Sequence, residues 1–210
     1  MKQARMYIVI LLLLIVAGSF WYALQSGLFS RMSDSAGEAT QIKIGGPFEL
    51  TNQFGETVRN SDFHGRYMLI FFGYTYCPDV CPTTLSTISS ALDSLGDAAS
   101  NIVPIFVSVD PDRDTPDYLK DYLIHFHPAI QGLTGTIGQI KQIAKSYGIY
   151  YARVQEEGTT DNEADDYLMD HTAITFLMGP DGQYVAHFGH GTTADAMAEK
   201  LASILAASDG

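Results

Sequence analysis

The sequence predicts an α/β domain that follows an apolar N-terminal segment. Three observations predict it. Tyr67 to Tyr74 and Ile102 to Val109 are continuous apolar runs, as expected of strands buried on both faces. Segments with helical spacing alternate with them. Gly179-Pro180-Asp181-Gly182 marks a tight turn between two later strand-like segments.

The chain has 210 residues, 46% hydrophobic and 17% charged, which allows a full core and excludes wholesale disorder. Lys and Arg number 12 against 24 Asp and Glu, a formal charge of -12. A surface of that sign repels phosphate backbones and excludes a nucleic-acid partner.

The elements follow in order. Lys2 and Arg5 precede an apolar run from Met6 to Leu24 with no acidic residue before Asp34. About 18 helical residues span roughly 27 Å, close to a bilayer's hydrocarbon thickness. Trp21 and Tyr22 fall at the far end, where interfacial aromatics are favoured. The run continues past Val16-Ala17-Gly18, which fits a signal anchor better than a cleaved signal peptide. Residues 1–29 are therefore expected to be a single transmembrane helix in a bacterial inner membrane. Residues 30–43, rich in Ser, Gly, Glu and Thr, read as a tether. Residues 44–210 read as one domain on the periplasmic side.

Within that domain, Pro47 to Val58 reads as an N-terminal hairpin around Asn52-Gln53-Phe54-Gly55. The strand Tyr67–Tyr74 leads into the cysteines, and a helix follows over 83–95. The strand Ile102–Val109 precedes helices over 115–126 and 137–147. Strands over 172–178 and 184–188 flank the Gly-Pro-Asp-Gly turn, and an Ala-rich helix over 193–206 closes the chain. A β-α-β unit followed by a β-hairpin and a last helix is a thioredoxin-like layout. Chemistry in such a sheet sits beyond the strand ends, where the cysteines fall. Glu156 to Asp170 carries seven carboxylates and no basic residue, and reads as an acidic insertion. Its spacing is not that of an EF-hand loop.

The chain has only 2 cysteines, Cys77 and Cys81, in Tyr76-Cys77-Pro78-Asp79-Val80-Cys81-Pro82. They cannot form a disulfide scaffold or a four-thiolate zinc site. A disulfide between them would close too short a loop to stabilise much. Pro82 is expected at the first helical position, with Cys81 near the cap and Cys77 in an adaptable loop. A nearby helix N-terminus favours thiolate, the form that attacks disulfides and binds soft metals. Two thiolates and one imidazole suit copper. Of the six histidines, His171 opens the strand that the layout brings to the cysteine loop. His64, His125, His127, His187 and His190 are placed elsewhere.

Four segments together resemble the Sco/SenC family. They are Thr75-Tyr76-Cys77-Pro78-Asp79-Val80-Cys81-Pro82, the run Val107 to Pro116 (VSVDPDRDTP), Asp170-His171-Thr172, and Gly179-Pro180-Asp181-Gly182. The resemblance runs from about residue 44 to 205. It implies a thioredoxin-like fold with copper, Cu(I) or Cu(II), held by Cys77, Cys81 and His171. It further implies a metallochaperone that helps assemble the CuA centre of cytochrome c oxidase. The expected partners are the oxidase subunit carrying that centre, together with other copper carriers or thiol reductants. The alternative is an enzyme, a membrane-anchored thiol-disulfide oxidoreductase using Cys77 and Cys81 as a redox dithiol on the oxidase cysteines. A peroxidase is disfavoured, because Thr75 stands two residues before Cys77 rather than three and no proline precedes it nearby.

Overall fold

The computed structural model describes residues 13–19, 21–22, 44–154 and 167–208. The tether over 30–43, most of the expected anchor and most of the acidic insertion lie outside the described residues. The chain divides into two compact units, Met1–Ile42 and Lys43–Gly210. In the first, residues 13–19 and 21–22 are helical. No helix among the described residues is long and apolar enough to cross a membrane.

The second unit is built on a seven-stranded sheet. Its strands are β1 (Glu49–Asn52), β2 (Thr57–Arg59), β3 (Tyr67–Gly73), β4 (Ile102–Ser108), β5 (Gln131–Thr134), β8 (Ile174–Met178) and β9 (Tyr184–Gly189). They lie in the order β2-β1-β5-β4-β3-β8-β9. β3, β4 and β5 run parallel, while β1 and β8 join their flanks antiparallel. Every residue of β3 and β4 is buried. Two-sided burial explains why those strands carry no polar alternation.

Four helices complete the unit: α1 (Val80–Leu95), α2 (Pro116–Leu123), α3 (Ile137–Tyr147) and α4 (Ala194–Ser208). α1 and α4 pack against each other. α1 turns Leu85, Ile88, Ala91 and Leu92 into the core, at the spacing of one helical face. α2 is capped by Thr115, whose Oγ1 accepts from Tyr118 N at 3.3 Å, and has proline at its first position. α3 opens on a reciprocal capping box between Thr136 and Gln139. It ends on Gly148, whose φ of 66° is the left-handed conformation that a C-terminal glycine adopts without strain. The hairpin β1–β2 turns on Asn52, whose Oδ1 accepts from Phe54 N and Glu56 N, both at 2.9 Å.

Three elements differ from the sequence reading. β5 is an extra strand, too short and too glycine-rich to show a strand pattern; its Gly132 lets α2 sit close, since a Cβ there would lie 2.6 Å from Leu123 Cδ1. The helix after the cysteines starts at Val80, so Cys81 and Pro82 are its second and third residues. Proline is tolerated there because a first-turn amide has no helical acceptor in any case. Finally, His171 does not open the strand of the main sheet. It ends a separate strand, β7 (Met169–His171), which pairs antiparallel with β6 (Tyr151–Arg153) in a two-stranded ribbon.

Candidate metal centre

β3 ends where the centre begins. Gly73 is its last residue, and the space a side chain would need is occupied. A Cβ there would lie 2.7 Å from Cys81 Sγ and 2.8 Å from Phe106 Cε2. The chain then passes through Tyr74, Thr75 and Tyr76 to Cys77. Thr75 is anchored to the buried Asp114. Its amide and hydroxyl donate to that carboxylate at 3.1 and 2.6 Å, and Ser108 Oγ donates at 2.5 Å. Burial pushes the Asp114 carboxyl up, and the bonds from Ser108 and Thr75 oppose the shift.

The two sulfurs are unlike each other. Cys81 is wholly buried under Gly73, whereas Cys77 is half-buried at the surface. Asp79 occupies the N-cap position of α1 but makes no side-chain capping bond. Instead Cys77 Sγ accepts from Cys81 N at 3.4 Å, so a sulfur satisfies an orphan amide of the first turn. Both cysteines are free. The neighbouring Cys81 thiol, with His171, holds Cys77 well below the usual thiol range despite its partial burial. The adjacent Cys77 sulfur, with burial, holds Cys81 well above that range. Thiolate character therefore falls on the accessible sulfur rather than on the buried one. Alkylation of Cys77 is accordingly expected to keep its rate from about pH 8 to about pH 6, with Cys81 protected. An ordinary thiol loses roughly tenfold per pH unit below its pKa of about 8.5, and that slope would contradict the assignment.

His171 reaches the sulfurs from the ribbon. Met169 N donates to Tyr74 Oη at 3.1 Å, and Thr172 N to Tyr150 O at 2.9 Å. The imidazole stands edge-on to Tyr74 at 5.8 Å and to Phe71 at 6.2 Å. Its Nε2 lies 3.4 Å from Cys81 Sγ, and its Nδ1 lies 3.4 Å from Thr172 O. A proton on Nδ1, directed at that carbonyl, leaves the Nε2 lone pair facing the sulfurs. One atom from each of Cys77, Cys81 and His171 lies within 4.8 Å of the others. Among the described residues no other group of His, Cys, Asp and Glu could hold a metal ion in this way. Two soft thiolates and one imidazole form a donor set that copper accepts without a fourth ligand, whereas structural zinc takes four.

The remaining histidines stand elsewhere. His127 faces Asp93 at 3.7 Å, His187 Nδ1 faces Tyr184 Oη at 2.6 Å, and His190 Nδ1 faces Thr84 Oγ1 at 3.3 Å. His64 lies near Gly182, and His125 is exposed. Arg113 pairs with Asp110, Nε to Oδ2 at 2.5 Å. Tyr74 and Tyr167 carry no motif of their own in the sequence. Their signal is proximity: Tyr74 stands three residues before Cys77 and Tyr167 four before His171.

Comparison with known proteins agrees with this geometry. The SCO1/SenC family profile matches residues 36–206. An SCO2-like protein of Rickettsia prowazekii is 43% identical over 148 residues, covering 70% of each chain. The copper-bound structure of Bradyrhizobium japonicum ScoI is 44% identical with a TM-score of 0.69, covering 76% of this chain and 98% of that one. Copper-bound ScoI of Arabidopsis thaliana is 36% identical with a TM-score of 0.70, covering 77% and 98%.

Proposed function

Because this chain belongs to the SCO1/SenC family, whose members act in cytochrome c oxidase assembly, we propose that it is a copper metallochaperone for the CuA centre of that oxidase. Copper is its cargo. Cys77 and Cys81 hold the ion as thiolates and His171 through Nε2. The observation that carries this reading is the convergence of one atom from each of these residues within 4.8 Å, at the end of a buried strand. Its Cys77 side is partly open, so a receiving site can approach. Transfer then needs only ligand exchange: incoming thiolates replace Cys77 first and the buried Cys81 last. The apolar run near the N-terminus supports a membrane anchor that keeps the domain close to its membrane-bound partner on the periplasmic side.

The inequality of the sulfurs favours a second reading, disulfide reduction. The Cys77 thiolate would attack a partner disulfide and form a mixed disulfide. Cys81 would then pass its proton to the partner thiolate released in the first step and attack Cys77 Sγ, expelling the partner's second sulfur, which takes a proton from solvent. The products are the Cys77–Cys81 disulfide and a partner dithiol, two electrons having moved to the partner.

One experiment separates the two. The copper-loaded protein is mixed with a metal-free, reduced CuA-bearing fragment, and the copper-free dithiol protein with the same fragment oxidised. Delivery predicts copper movement in the first mixture with no change in total thiol. Copper retained in the first mixture, with stoichiometric thiol appearing on the fragment in the second, would overturn delivery in favour of reduction.

A further inference from the structure

His171 is carried by an element with little support of its own. β7 is three residues long and belongs to a two-stranded ribbon outside the main sheet. A ribbon of that size does not hold its geometry unaided. Met169 N ties it to Tyr74 Oη, and a second tie is needed to set the imidazole's distance from the sulfurs.

The contacts around Tyr167 supply it. The Tyr167 hydroxyl donates to Asp110 Oδ1 at 2.6 Å. The other oxygen of that buried carboxylate takes Arg113 Nε at 2.5 Å. The guanidinium lies over the Tyr167 ring at 3.6 Å and over the Tyr76 ring at 4.5 Å. It therefore joins the aromatic residue just before Cys77 to the one four residues before His171. Arg153 of β6 also lies over Tyr167, at 4.2 Å, and is ion-paired with Asp112. The same loop holds Thr75, two residues before Cys77, through Asp114. Five residues, Asp110 to Asp114, thus grip both arms of the centre.

We infer that Tyr167 is a positioning residue: clamped by Asp110 and Arg113, it sets where His171 stands relative to the Cys77 and Cys81 sulfurs. Tyr167 touches neither sulfur and donates nothing to the ion; it acts through His171. The inference rests on the copper reading above. It adds that the 110–114 loop, and not the pairing of the ribbon alone, holds the donor set together.

The test is a Cu(II) titration of the full-length protein, reading affinity and the thiolate-to-copper absorption band. It compares wild type, Tyr167→Phe and Tyr167→Leu, each with His171 intact and with His171→Ala. Outer-shell partners of metal ligands typically contribute about 10–100-fold to affinity, so Tyr167→Leu is expected to weaken binding about tenfold and to move the band. Tyr167→Phe keeps the stack on Arg113 and loses only the hydroxyl bond, so its loss is smaller but measurable. In the His171→Ala background neither change costs anything further. Unchanged affinity and spectrum in both Tyr167 variants would overturn the inference. So would equal losses with and without His171, the mark of a general structural role. If Tyr167→Leu does not fold, Tyr167→Phe decides alone by the same criteria. Wild-type protein that binds no copper would overturn the copper reading itself, and this inference with it.

Discussion

Gly73→Ala is expected to damage both the fold and the metal centre, although it adds a single methyl. The new Cβ would lie 2.7 Å from Cys81 Sγ and 2.8 Å from Phe106 Cε2, and both neighbours are fully buried. Neither can move outward cheaply. Phe106 is central in β4, in contact with Phe71 and Tyr122, and Cys81 is fixed in the first turn of α1. Overpacking of this kind costs about 1–3 kcal/mol. In a chain of this size, each kcal/mol lowers the melting temperature by about 2–4 °C. The displaced atom is a candidate copper donor, so copper affinity should fall in the same variant. Gly189→Ala is the control, since a Cβ there meets nothing within 4 Å. Thermal unfolding of both variants checks the expectation. Equal melting temperatures would mean that the strand end yields more easily than its packing implies.

The second large effect is expected for His171→Ala. The substitution removes the one nitrogen donor and leaves both sulfurs, along with the bonds that hold Cys77 against α1. Copper affinity should fall by about a hundredfold or more, beyond what loss of an outer partner costs. Oxidation to the Cys77–Cys81 disulfide should still go to completion, because the dithiol does not need the imidazole. Competition with a Cu(I) chelator reads the first quantity, and thiol titration after oxidation reads the second. Unchanged affinity would reduce the centre to two donors. A dithiol that no longer closes would mean that His171 holds the cysteine loop in place.

Much of this was legible in the sequence because two-sided burial leaves a plain mark. β3 and β4 appear as uninterrupted apolar runs, and the strands flanking Gly179 to Gly182 appear from their turn. The candidate donors were legible for a different reason: only two cysteines exist, and they fall directly after a buried strand. What the sequence concealed was local. β5 and β7 are too short for any periodicity to develop, so the sequence pattern places His171 on the following main-sheet strand, whereas it ends β7. Pro82 suggested a helix starting two residues late, because the first turn tolerates proline at more than one position. The Asp110–Arg113–Tyr167 clamp spans residues far apart in the chain, and no local pattern announces a contact of that kind.

The central claim is that Cys77, Cys81 and His171 together hold one copper ion. An anaerobic titration of the reduced protein with Cu(I), in competition with a chelator and beside Cys81→Ser, tests it most directly. The account predicts one tightly held ion per chain, lost when the buried sulfur becomes an oxygen. Binding that persists undiminished in Cys81→Ser, or no competitive binding in the wild type, would contradict it.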